Sequence, residues 1–63
     1  MVMKVKEVIE LLETNGWYYV RTRGDHHIYK KEGLSNLIVV PGNPNDDLKA
    51  GTINSILRGA GLK

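Results

Sequence analysis

Residues 17–31 read "WYYVRTRGDHHIYKK". Two runs rich in aromatic and β-branched residues, 17–23 and 26–31, flank Gly24-Asp25. That pattern predicts two strands joined by a tight turn, with glycine supplying the positive φ the turn needs. Working outward, "EGLSN" at 32–36 gives a second turn, and the apolar run "LIVV" at 37–40 a third strand. Pro41 has no N–H to donate, so that strand ends there or lies at an edge. On the N-terminal side, Val5, Val8, Ile9 and Leu12 recur at helical spacing within "KVKEVIELLETNGW", and Lys6, Glu7, Glu10 and Glu13 fall elsewhere. Asn15-Gly16 stops this helix, with Trp17 folding back as the apolar contact beyond it. On the C-terminal side, "PGNPNDD" is a loop by composition, and Ile53, Ile56, Leu57 and Ala60 mark a second helix within "AGTINSILRGAGL". Gly61 is placed to end it, with Leu62 folding back. Asp46 and Asp47 precede this helix, where acids suit its positive end if it begins close by.

The predicted order is α-β-β-β-α. It implies an α+β two-layer sandwich: a three-stranded antiparallel sheet with two helices on one face and the other face open. Double-stranded-RNA-binding domains share that order. At 63 residues the chain is expected to be one domain, 1–63, with a small core to which a partner chain could add stability. There is no cysteine, which excludes disulfides and cysteine-based zinc sites and fits a reducing cytoplasm. Apolar runs are too short to span a membrane, and the first residues lack the apolar region of a secretory signal.

The net charge of +2 is too small to imply a nucleic-acid partner, but its distribution is uneven. Arg21, Arg23, Lys30 and Lys31 surround a single acid, Asp25, so this hairpin carries a local excess of +3. Such a patch suits an anionic partner. Between the cations lies the pair His26-His27. Neighbours on a strand point to opposite faces, so the two histidines cannot act on one atom, and a two-histidine metal site is not expected. Histidine moves protons near neutral pH, with an unperturbed pKa of about 6.5. In RNA cleavage without metal, the 2′-hydroxyl attacks the neighbouring phosphate. A base must take its proton, and cations must stabilise the phosphate as charge builds. His26 is the first strand residue after a glycine turn that can approach a ligand closely. Arg21, Arg23, Gly24, Lys30 and Lys31 are candidate RNA contacts. Among Trp17, Tyr18, Tyr19 and Tyr29, which could stack on bases, Trp17 reads as core and Tyr29 as the best stacking candidate.

The sequence resembles HicA toxins, the small RNA-cleaving partners of HicB antitoxins. The resemblance runs nearly end to end, through "LLETNGW", "RTRGDHHIYKK", "VVPGNPNDDL" and "AGTINSILRGAGLK". Its most specific piece is Gly24, Asp25, His26 followed by Tyr29, with the "GT…IL…AGL" ending at the right distance. The resemblance implies the fold already read from periodicity, messenger-RNA cleavage during growth arrest, no cofactor, and an HicB-like antitoxin as partner. It implies that the catalytic histidine is His26. His27 falls at a variable position, often arginine, and is expected to be a surface or phosphate contact. Two residues depart from the family pattern: Asp25 stands where serine is common, and Ala50 where a proline often opens the last helix.

The leading expectation is therefore a cytoplasmic, metal-independent ribonuclease toxin with His26 as its proton-transfer residue. Two rivals are an RNA-binding module of the same fold without catalysis, and a degenerate toxin in which Asp25 suppresses cleavage.

Overall fold

The computed structural model describes residues 3–62. Its elements are β1 (Met3–Lys4), α1 (Val5–Thr14), β2 (Trp17–Arg23), β3 (His26–Lys31), β4 (Ile38–Pro41), β5 (Asp47–Leu48) and α2 (Ala50–Gly59). Strands β2, β3 and β4 form an antiparallel sheet in that order, so β2 and β4 are its edges. Both helices pack on one face, giving the expected α+β sandwich.

Ten-residue helices are marginal in isolation, so packing rather than propensity holds these two. Val5, Val8 and Leu12 of α1 and Ile53 and Ile56 of α2 are buried against Trp17, Tyr29, Ile38 and Val40 of the sheet, with Ala60 just beyond α2. Each large apolar side chain in this layer contributes about 1.5–3 kcal/mol by leaving water. The end of α2 follows the sequence expectation. The Leu62 N–H donates to the Leu57 carbonyl at 2.8 Å and the Gly61 N–H to that of Arg58 at 3.2 Å, while Leu62 packs on the core.

Two features differ from the expected order. Met3–Lys4 and Asp47–Leu48 pair as a separate two-stranded antiparallel ribbon. In addition, Asp46 and Asp47 serve the start of α1 rather than that of α2, which begins after Lys49. The Asp46 carbonyl accepts the Val5 N–H at 2.9 Å, the Pro44 carbonyl accepts that of Lys6 at 3.0 Å, and the Asp47 carboxylate lies 3.6 Å from Lys4 Nζ. The loop after β4 thus folds over the orphan donors of the first helix, which is the need any helix N-terminus presents.

Candidate nucleic-acid interface

The site is built on the β2–β3 hairpin. Its loop has two residues, because Arg23 pairs directly with His26. Gly24 at the first position has φ +63°, and Asp25 at the second has negative φ, the pattern of a type II′ turn. Nothing lies within 4 Å of where a Gly24 side chain would begin, so the turn is open to close approach. The Asp25 carbonyl accepts the Gly42 N–H at 2.8 Å, which pins the turn to the chain leaving β4.

A β-bulge then decides which side chains meet. Tyr19 pairs with Tyr29, and Arg21 with Ile28, leaving Val20 as the extra residue of β2. In a regular strand, Trp17, Arg21 and Arg23 would share one face. The bulge reverses the alternation, so Trp17 enters the helix-side core while Arg21 and Arg23 point to the open face. There they join His26, Ile28 and Lys30 of β3 and Val39 and Pro41 of β4 through direct cross-strand pairing. Ile28 is buried on this side, yet it does not belong to the helix-side core. Arg21, Arg23, His26 and Lys30 are all exposed. The open face therefore carries three permanent cations and one exposed imidazole around an apolar centre.

His26 Nδ1 lies 3.1 Å from an Asp25 Oδ1, and both side chains are more than half exposed. A carboxylate only accepts, so Nδ1 carries the hydrogen in this contact. In the neutral ring that leaves the Nε2 lone pair free, an arrangement in which the acid fixes the tautomer of the imidazole. Asp25 is thus a direct partner of His26.

The other predicted site residues separate from this surface. His27 pairs with Thr22 and Val40 on the opposite face. Its Nε2 donates to the Gly42 carbonyl at 2.7 Å, and its Nδ1 lies 3.0 Å from Thr22 Oγ1, which is 2.8 Å from the Tyr19 hydroxyl. His27, expected to be a surface or phosphate contact, has both ring nitrogens engaged in hydrogen bonds that hold β2, β3 and the loop after β4 together. Tyr29, expected to stack on bases, is only 4% exposed. It meets Tyr19 edge-to-face at 5.9 Å between centroids and belongs to the core, so its faces are closed to a base. Burial is the first cause pushing its hydroxyl pKa up, followed by the charges of Glu13 and Tyr19. Lys31 pairs with Trp17 on the helix side, and its Cε lies 3.2 Å from where a side chain at Gly16 would begin. It is not part of the surface around His26. Tyr18, by contrast, pairs with Lys30 on the open face and is 47% exposed. The available signal was parity, since a core Trp17 sends its neighbour Tyr18 the other way.

Among the described residues, no three histidine, cysteine or acidic side chains group as metal ligands, and no helix is long and apolar enough to cross a membrane.

A small α+β sandwich with a cationic open face and one exposed histidine at a glycine turn defines the class. The sequence profile described as "HicA toxin of bacterial toxin-antitoxin" matches residues 5–62, and the chain belongs to this family. A chain of the "Toxin-Antitoxin complex from Streptococcus pneumoniae" is similar in structure, with a TM-score of 0.82 and 31% sequence identity, over 95% of this chain and 98% of that one. A search of curated proteins gave no match.

Proposed function

We propose that this toxin is an endoribonuclease that cleaves messenger RNA without a metal, with His26 as its proton-transfer group. The observation that carries this reading is the bulge at Val20, which gathers Arg21 and Arg23 with Lys30 on the face of the exposed His26. His26 Nε2 takes the proton of a ribose 2′-hydroxyl, and the 2′-oxygen attacks the adjacent phosphorus. The bond to the 5′-oxygen breaks, leaving a 2′,3′-cyclic phosphate on one fragment and a 5′-hydroxyl on the other. In this scheme one group moves the proton both ways: His26, having taken it from the 2′-hydroxyl, returns it to the departing oxygen. Arg23, the cross-strand partner of His26, stabilises the charge that builds on the attacked phosphate, and Arg21 and Lys30 bind phosphates farther along the strand. The open Gly24 turn admits the backbone of the RNA beside His26.

The surface that meets RNA is also the one an antitoxin must cover. A chain resembling HicB that places carboxylates against Arg21, Arg23 and Lys30 would block His26, as befits a family of toxin–antitoxin pairs acting in the cytoplasm. Inducible expression of wild type and His26→Ala at matched levels in bacteria tests the reading. Growth arrest with message loss in wild type, and neither in a folded His26→Ala, is expected. Arrest by both proteins would remove His26 from the mechanism and favour RNA binding without cleavage. Arrest by neither would favour a degenerate toxin.

A further inference from the structure

Tyr18 stands apart from the other tyrosines. Tyr19 donates or accepts a hydrogen bond with Thr22 and meets Tyr29 edge-on, and Tyr29 is core. The Tyr18 side chain has no hydrogen-bond or ring partner among the described residues. Its exposed ring lies on the open face opposite Lys30, in the same row as Arg21 and Arg23. A large aromatic side chain left in water, beside cations and without acids on the strand positions of that face, matches the way single-stranded nucleic acid is held: cations track the backbone and a ring stacks on a base.

The distances set the geometry. His26, Ile28 and Lys30 follow each other on one face of β3, so the Lys30–Tyr18 pair lies about 13 Å along the strand from the His26–Arg23 pair. An RNA strand laid along the sheet spans that gap in a few nucleotides, with Arg21 between the two ends. Resting on the ribonuclease reading above, we infer that Tyr18 is a base-stacking subsite for single-stranded RNA, holding one base a few nucleotides from the phosphate presented to His26. The subsite selects against duplex, because a paired and stacked base has no free face to offer. It reads no particular base, since every base has a π-face.

The test uses the full chain in a His26→Ala background, so that RNA is bound and not cut. Binding of a short, unstructured RNA oligonucleotide is followed by fluorescence anisotropy. Tyr18→Ala and Tyr18→Leu are each expected to weaken binding roughly 5- to 100-fold, the range spanned by one stacked base. Tyr18→Phe keeps the ring and is expected to bind within about twofold of its parent. An abasic residue moved along the oligonucleotide should weaken binding at one position in the Tyr18 parent and have no effect there in Tyr18→Ala. Equal binding by Tyr18→Ala and its parent would overturn the inference and leave the His26 reading standing. So would leucine performing as well as phenylalanine, because apolar cover and not stacking would then be the role. Tighter binding of a duplex than of the single strand would overturn it as well. Failure of the parent to bind RNA while it retains its fold would overturn the ribonuclease reading and this inference with it.

Discussion

Two adjacent histidines facing opposite sides of the sheet make the sharpest contrast in this molecule, and His27→Ala isolates one of them. The substitution removes a bond of 2.7 Å to the Gly42 carbonyl and one of 3.0 Å to Thr22. Hydrogen bonds of this kind contribute about 0.5–1.5 kcal/mol each, so the loss is about 1–3 kcal/mol. A domain of this size holds roughly 3–9 kcal/mol in all, so the change is large. Each kcal/mol lowers Tm by about 4–8 °C in a domain of 60–100 residues, which predicts a fall of about 5–20 °C. His26 is exposed, and His26→Ala should change stability by no more than about 0.5 kcal/mol. Thermal and urea unfolding, followed by the near-ultraviolet signal of the buried Trp17, measures both. RNA cleavage, assayed well below both midpoints, should follow the reverse order. It falls about 100- to 10,000-fold for His26→Ala, as loss of an acid–base group does, and only modestly for His27→Ala. A stable, inactive His27→Ala beside an active His26→Ala would refute the assignment of both residues.

Three further outcomes follow from the same geometry. Asp25→Asn should lower kcat about two- to fivefold through loss of an exposed partner of His26, while removal of a negative charge from the RNA path tightens binding; steady-state kinetics separates the two. Replacing Arg21, Arg23 or Lys30 with alanine should each reduce the slope of log affinity against log salt by about 0.7, measured by titrating a single-stranded RNA at several salt concentrations. The third concerns alkaline stability. Burial raises the Tyr29 pKa in the folded chain, so the unfolded chain ionises first, near its ordinary pKa of about 10. Stability is then fully present below that pH and lost as pH rises through the folded value. Urea midpoints from pH 8 to about 11 should fall in wild type and flatten in Tyr29→Phe.

Periodicity alone was enough to read both helices, because their buried stripes repeat at helical spacing, with charges elsewhere on α1 and small or polar residues elsewhere on α2. The hairpin was equally legible from Gly24-Asp25 between two β-rich runs. The opposite facing of His26 and His27 followed from strand geometry without further information. What lay beyond local pattern were the features fixed by tertiary contact. The Val20 bulge reconciles a core Trp17 with solvent-facing Arg21 and Arg23, three residues of one parity that a regular strand would force together. Reading that conflict in the sequence would have placed Tyr18, and not Tyr29, on the exposed face with Lys30. The service of Asp46 to α1 depends on where a loop of distant sequence comes to rest, and composition says nothing of that.

If RNA is cut by its own 2′-hydroxyl with His26 moving the proton, the products carry a fixed signature. The most direct measurement is the end chemistry of fragments made by purified protein from a defined RNA, in the presence of a chelator. Cleavage is expected to leave a 2′,3′-cyclic phosphate and a 5′-hydroxyl, to be abolished by a single 2′-deoxy substitution at the cut, and to be lost in His26→Ala. Fragments with 5′-phosphates, cleavage that survives the 2′-deoxy substitution, or dependence on added divalent metal would contradict it.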